Sequence, residues 1–86
     1  MKIQIQSNHS EQSGAFRTHI LGIFEMPALP LPGMTVVMVL GTLNHPEFSE
    51  GQKVYGVVAK DPATTVYSPG QDIDAMVFLD NVRVAE

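Results

Sequence analysis

Residues 34–43 read MTVVMVLGTL, and this uncharged stretch, rich in Val, Met and Leu, decides the fold class. Successive side chains of a strand point to opposite faces, so the even-numbered residues 36–40 share one face. Val37 and Val39 lie on the other face, which is equally apolar. Apolar residues on both faces are typical of a strand that is covered on both sides. Because β-branched valines favour a strand over a helix, we interpret residues 34–43 as the central strand of a small β domain.

Two kinds of cover would satisfy the face that carries Val37 and Val39. In the first, a second layer of the same chain packs on this face, and the strand lies in the middle of a two-layer core. In the second, another copy of the chain covers the face within a homo-oligomer. Both interpretations require that neither face of the strand is left in water.

Chain length and the absence of cysteine limit how the domain is stabilised. The chain has 86 residues and no cysteine, and we expect one β domain over residues 1–86. A chain of this length buries only about 60% of the surface that its unfolded form exposes, so its core is thin. Without cysteine, no disulfide stabilises this core and no thiolate can ligate a metal or act as a nucleophile. Association with further copies would add stability to such a domain.

The charge pattern argues against two classes of partner. Nine acidic and five basic residues give a formal net charge of −4, and the basic residues are scattered along the chain. Nucleic-acid binding rests on clustered cations and on aromatic side chains that stack on bases, so we expect no nucleic-acid partner. No apolar run approaches the roughly 18 residues of a membrane-spanning helix, and the first residues lack the apolar core of a signal peptide. We expect a cytoplasmic protein with no membrane partner.

Alternating or apolar segments separated by turn residues predict six to seven short strands. These segments are residues 1–7, 15–25, 34–43, 52–60, 64–68, 73–79 and 82–85. The pattern is typical of an all-β fold, either a small antiparallel barrel or a sandwich. One helical turn is expected at residues 44–51, because Asn44 can cap it, Glu47 suits a capping box and Gly51 can end it. Phe48 would anchor this turn in the core.

Local features between and within the strands add to this pattern. The polar segment at residues 8–14 is expected to be a mobile loop and a candidate contact surface. Gly22 predicts a bulge that switches the facing of the residues after it, and Gly56 predicts the close approach of a neighbouring strand. Asp80 and Asn81 predict a tight turn between the last two strands.

The segment at residues 26–33, MPALPLPG, is predicted to be extended, because its three prolines exclude a regular helix and a central strand. Its apolar residues Met26, Leu29 and Leu31 allow two interpretations. The segment wraps over an open end of the core, or it forms a ridge that docks in the groove of a partner.

Two histidines suggest a metal interpretation. His9 precedes Glu11 by two positions and His45 precedes Glu47 by two. This spacing would place two ligands on one face of a strand. Because the pairs fall in a predicted loop and a predicted helical turn, that geometry is not provided, and we expect no metal site.

The third histidine and the remaining polar residues give no catalytic pattern. His19 lies beside Arg17 on one face of a predicted strand, where a cross-strand contact or solvation accounts for it better than catalysis does. The seven glycines are spread singly, and no nucleophile motif or phosphate-binding loop is present. We therefore expect no enzyme activity and no cofactor.

These observations favour a non-enzymatic binding or assembly protein that acts through protein–protein contacts as a homo-oligomer, for example as an inhibitor or accessory factor. The residues expected to contact a partner are Met26, Leu29, Leu31, Val37 and Val39. The alternative is a protein that binds or sequesters a small ligand, such as a nucleotide or a sugar, in a barrel mouth or between subunits. The residues expected to line that site are Arg17, His19, Tyr55 and Tyr67. Viral counter-defence is a setting that suits either function.

Overall fold

Six strands make up the regular structure of the part of the chain that the structure describes. The structure, a computed structural model, describes residues 1–10 and 16–85. The strands are β1 (Lys2–Ser10), β2 (Phe16–Glu25), β3 (Thr35–Val39), β4 (Lys53–Val58), β5 (Thr65–Val66) and β6 (Ala75–Val84). None of the described residues forms a helix, and so none of them forms a helix that could cross a membrane. The predicted all-β class is confirmed.

The strands form one sheet in the order β2-β1-β6-β4-β3, and the short β5 pairs with the first residues of β6. The central β1–β6 pair is parallel, whereas the other pairs are antiparallel. The sheet is therefore mixed rather than purely antiparallel, and it curls into a half-barrel instead of closing into a barrel. β2 and β3 are the two edges of this half-barrel.

The hydrophobic core lies on the inner face of the curled sheet. Period-two alternation brings Ile3 and Ile5 of β1 to this face, together with alternate residues of β6. β3 and β4 contribute their even-numbered residues in the same way. The buried core consists of Ile3, Ile5, Leu21, Val36, Met38, Leu40, Val54, Val58, Ala75, Val77 and Leu79.

The prediction that residues 34–43 form the central strand is wrong. β3 is an edge strand, and β4 is its neighbour in the sheet. Its inner face is buried as predicted, but Val37 and Val39 on the outer face are 56% and 61% exposed in the single chain. The prediction that a second layer of the same chain covers this face is therefore also wrong. The sequence pattern establishes that both faces are apolar, and it does not identify the neighbour that covers them.

The predicted helical turn at residues 44–51 is absent. The segment contains bends and ends in a β-turn, in which the Gln52 N–H donates to the carbonyl of Ser49 at 3.2 Å. Gly51 stands at φ 85°, which suits glycine in a turn. Phe48 nevertheless packs against the core, as predicted.

The predicted tight turn at Asp80 and Asn81 is replaced by a bulge. β6 continues through both residues to Val84. Asn81 adopts φ 55°, and the register between β4 and β6 shifts between Tyr55 and Val57. An irregularity of this kind bends a strand without reversing it, so the last two predicted strands are one.

The prediction of a loop at residues 8–14 is wrong for residues 8–10. β1 continues through Ser10 and pairs there with the first residues of β2. The rest of the predicted loop lies outside the described residues. The polar composition of residues 8–10 predicts a loop, but pairing with the ten-residue β2 maintains the strand.

The predicted bulge at Gly22 is confirmed. The register between β1 and β2 shifts opposite this glycine, which stands at φ 149°. Leu21 is buried and Phe24 packs against the core, whereas Ile23 is exposed. Leu21 and Phe24, which face the core, are thus three positions apart instead of two. This spacing is the predicted switch of facing after the bulge.

The proline segment, residues 26–33, packs on the core through part of its length. Met26 and Leu29 pack against the core residues, and Pro30 is buried. Leu31 is exposed just before a turn in which Gly33 adopts φ 88°. The first interpretation of this segment is therefore confirmed for Met26 and Leu29.

The close approach predicted at Gly56 is confirmed and yields a stability prediction. A Cβ atom at this position would lie 2.9 Å from Cγ2 of Val82 and 3.2 Å from the backbone oxygen of Asp80. We expect Gly56→Ala to lower the free energy of unfolding by about 1–3 kcal/mol in urea denaturation, because backbone cannot move aside without strain. Gly41→Ala is the matched control, since its Cβ meets open space, and a change within about 0.5 kcal/mol is expected. Equal losses in both variants would contradict the close packing of β4 against β6.

Candidate functional site

An exposed apolar surface lies on the outer face of β3 and β4. Val37 and Tyr55 are direct partners in the antiparallel register, and Val39 is the next residue on the same face of β3. Tyr55 is 37% exposed, and both valines are more than half exposed. We call these three residues the valine patch. Lys53, the partner of Val39, and Arg83, the partner of Tyr55, flank it with positive charge.

β3 also presents an unpaired backbone edge. The Leu40 N–H donates to the Gln52 carbonyl at 2.8 Å, which joins an even-numbered residue of this segment to the β4 side. In an antiparallel pair this alternation continues along the strand, so the odd-numbered residues direct their backbone groups to the other side. No further strand of the described chain is paired there. The groups left for pairing are the N–H and C=O of Thr35, Val37 and Val39.

The two edges of the sheet differ in their protection. β2 carries the charged residues Arg17 and Glu25 near its ends and contains the Gly22 bulge. Charges and bulges are among the usual features that prevent a sheet edge from pairing with another chain. β3 has no charge, proline or bulge in its five residues. Of the two edges, β3 is therefore the one suited to pairing.

A cleft of about 270 Å³ runs along β3 on the inner side of the half-barrel. One wall is formed by residues 36–39, and the other by residues 24–27, where β2 ends and the proline segment begins. Ile5 lies between the walls, so the cleft leads to the hydrophobic core. The cleft thus occupies the opening between the two edges of the sheet.

The structure brings together three of the five residues predicted to contact a partner. Met26 lines the cleft opposite Val37 and Val39, which also belong to the valine patch. Leu29 packs against the core, and Leu31 is exposed in the turn that precedes β3. The interaction surface indicated by the geometry therefore centres on β3 and not on the proline segment.

The four residues predicted to line a small-ligand site do not lie together. Arg17 and His19 are on β2, whereas Tyr55 is on β4, and β1 and β6 separate these strands. Tyr67 follows β5, and its N–H donates to the carbonyl of Asp74 at 2.9 Å. His19 is the one of the four that borders the larger cavity described next.

A cavity of about 390 Å³ lies between β2 and the segment that follows β3. It is lined by residues 18–22 on one side and by residues 42–44 on the other. The lining residues include leucines and an isoleucine together with the polar residues Thr18, His19, Thr42 and Asn44. Apolar walls with a few polar groups are typical of sites for small molecules.

A buried serine and a histidine are in hydrogen-bond contact. The Oγ atom of Ser7, a residue that is 4% exposed, lies 3.0 Å from Nε2 of His45. The Glu47 N–H donates to Nδ1 of His45 at 3.0 Å, so Nε2 carries the proton of the neutral ring. Nε2 therefore donates to Ser7, whose hydroxyl in turn donates to the carbonyl of His19 at 3.4 Å.

This direction of hydrogen bonding is the reverse of that in a catalytic pair. A histidine that activates a serine accepts the hydroxyl proton, and its other nitrogen donates to an orienting group. In this network the Glu47 amide makes Nδ1 the acceptor, and Nε2 is a donor. The network instead ties the segment after β3 to β1 and β2.

Ring contacts complete the same cluster. The ring of His45 lies 5.1 Å from that of His19 and 4.7 Å from that of Phe48, measured between centroids. Sequence reasoning missed this cluster, because its members are distant in the chain. One signal was present: Ser7 continues the inward-facing series of Ile3 and Ile5, and a polar side chain at a core position requires a hydrogen-bond partner.

The candidate metal ligands are only partly within the described residues. Among residues 1–10 and 16–85, no group of three His, Asp or Glu side chains converges as a metal site would require. Glu11 lies outside the described residues, as does the side chain of His9. In the second pair, Nδ1 of His45 accepts the main-chain N–H of Glu47. The expectation that no metal is bound stays a prediction.

Comparison of the chain with protein-family models, with curated proteins and with solved structures found no match. A functional interpretation therefore depends on the surfaces of the chain itself. They are the valine patch, the unpaired edge of β3, the cleft beside it and the cavity at His19.

The Ser7 network yields a prediction about stability. We expect Ser7→Ala to lower the free energy of unfolding by about 1–3 kcal/mol, because Nε2 of His45 loses its buried acceptor. Urea denaturation measures this loss. Ser68→Ala, at an exposed position, is the control and should change stability by less than about 0.5 kcal/mol. Labelling of Ser7 by a fluorophosphonate would contradict the assigned direction of the hydrogen bonds.

Proposed function

We propose that the protein is a non-enzymatic assembly protein that forms a homo-oligomer through β3 and the valine patch. The observation that carries the proposal is the coincidence of an exposed apolar face and an unprotected backbone edge on one strand. Either feature is an interaction hazard for a chain that stays single. If the protein instead acts as an inhibitor or accessory factor, the same surface contacts a second protein.

The energetics of burial support association at this surface. Full burial of an exposed valine contributes about 1.5–3 kcal/mol. Val37 and Val39 are both more than half exposed, and Tyr55 lies beside them with an apolar ring and a polar tip, a combination favoured at interfaces. Pairing of the unpaired backbone edge would add hydrogen bonds to the apolar contribution.

The distribution of charge also supports this surface over others. A net charge of −4 makes copies of the chain repel each other at low ionic strength. Residues 31–45 contain no aspartate, glutamate, lysine or arginine, and the patch is flanked by Lys53 and Arg83 rather than by acidic groups. On β3 itself, copies can therefore meet without apposing carboxylates, and the carboxylate of Glu25 across the cleft is paired with the N-terminal ammonium group at 3.0 Å.

The first test is the molar mass in solution. We expect the wild-type chain to form a dimer or larger oligomer at micromolar concentrations in size-exclusion chromatography with light scattering. Val37→Asp should remain folded, because this side chain points to solvent in the single chain, and should raise the dissociation constant at least about tenfold through burial of an unpaired charge. A monomeric wild-type chain at all concentrations would overturn the proposal.

Val66→Asp is the matched control for this charge. Val66 lies on β5, is 64% exposed and is remote from β3 in the sheet. The variant should therefore associate as the wild-type chain does. Equal dissociation of both variants would mean that added negative charge, and not its position, weakens association.

A small-ligand function is the second candidate, and the cavity at His19 favours it. A cavity of about 390 Å³ is large enough for a sugar or a nucleoside. Both of its walls contain polar residues, which include His19 on one side and Asn44 on the other. In this function the cavity binds the ligand, and the oligomer is not required for binding.

The ligand function predicts a rise in the melting temperature when millimolar nucleotides or sugars are added, because binding to the folded state stabilises it. Thr42→Trp places a large side chain at the exposed wall of the cavity. This variant should abolish the ligand-induced rise without lowering the melting temperature of the free protein.

The control for Thr42→Trp is Thr65→Trp. Thr65 is exposed on β5 and does not line the cavity, so this variant should keep the ligand-induced rise in melting temperature. An equal rise in the wild-type chain and both variants would contradict binding in the cavity. No rise with any ligand would contradict the ligand function.

A further inference from the structure

We propose that two copies of the chain join edge to edge through β3, in an antiparallel register centred on Val37. The inference rests on the proposed self-association and adds the pairing segment and its register. Two half-barrel sheets would thereby become one continuous sheet across a two-fold axis.

Backbone geometry limits the register. The groups left for pairing belong to Thr35, Val37 and Val39, and an antiparallel neighbour must present groups of the same kind. A second β3 does so when Val37 faces Val37 and Thr35 faces Val39 of the other copy. This register pairs all of these groups, giving about six hydrogen bonds. A shift by one residue would bring the unpaired groups of one copy against residues already bonded to β4.

In this register, apolar side chains of the two copies come together on both faces of the sheet. On the outer face, the two copies of Val37 become neighbours, and the two valine patches join into one apolar surface. On the inner face, Val36 of one copy lies beside Met38 of the other, next to the cleft lined by Phe24 and Met26. Apolar residues therefore meet apolar residues on each side of the new sheet.

The residues that flank β3 extend the contact. Continuing the register by one residue at each end of β3 places the exposed Met34 of one copy opposite Leu40 of the other. Lys53 lies beside Val39 at one end of β3, so the two-fold axis puts the two lysines at opposite ends of the interface. Like charges are therefore kept apart.

The test uses the absence of cysteine from the chain. In a hydrogen-bonded antiparallel pair the facing Cα atoms are about 5.5 Å apart, within the range that a disulfide spans. We expect Val37→Cys to form a covalent dimer in high yield under mild oxidation. Ile23→Cys, exposed on the outer face of β2, controls for disulfides formed by random collision and should stay largely monomeric on a non-reducing gel.

A second pair of variants separates the backbone edge from the outer face. Val39→Pro removes an unpaired N–H while leaving the bonds to β4 intact, and should raise the dissociation constant at least about tenfold. Val39→Thr keeps the N–H and the branched shape but adds a hydroxyl group, so it should weaken association less than Val39→Pro does. Circular dichroism verifies that both variants fold, and the Val37→Cys result decides alone if the proline variant does not.

The outcomes distinguish this inference from the function on which it rests. A wild-type oligomer with no Val37→Cys disulfide and no effect of Val39→Pro would overturn edge pairing in favour of face-to-face packing, and the proposed function would stand. A monomeric wild-type chain would overturn both. Capture of an unrelated extended peptide by β3 in place of a second copy would overturn the choice of partner.

Discussion

The structure depends on a sheet that curls around one thin core without closing. Hydrogen bonding in a sheet is satisfied strand by strand, so every open sheet ends in two edges with unpaired groups. In this chain β2 and β3 are those edges. The charges and bulge of β2 protect it, whereas β3 is short, regular and apolar. The surfaces relevant to function follow from this difference.

Local alternation and glycine chemistry were sufficient to predict much of the fold. Ile3 and Ile5 alternate with polar residues, and this pattern defines a half-buried strand without reference to the rest of the chain. Gly22 and Gly56 acted as predicted, because a bulge and a close approach each favour a residue without a Cβ atom. Such features are encoded within a few residues, which is why they can be recognised in a single sequence.

Features that depend on distant partners could not be predicted in the same way. Asp80 and Asn81 are typical turn residues, yet β6 continues through them because β4 pairs along its far half. Ser7, His19 and His45 come from separate segments, and no spacing in the sequence indicates their contact. The apolar run at β3 predicted burial on both faces, although one face has no cover within the described chain. An alternation pattern records which residues are apolar and carries no information on the order of strands.

Side chains and backbone groups of β3 alternate in direction with a period of two residues. Even-numbered residues such as Val36 and Met38 direct their side chains to the core, and their backbone groups form hydrogen bonds with β4. Odd-numbered residues such as Val37 direct both the side chain and the backbone groups away from the subunit. Exposed apolar surface and unpaired backbone therefore reside on the same residues, so a partner that covers one must approach the other in a defined register. This coupling makes β3 a specific surface, whereas an exposed side chain outside the strands, such as Leu31, has no strand edge to fix the orientation of a partner.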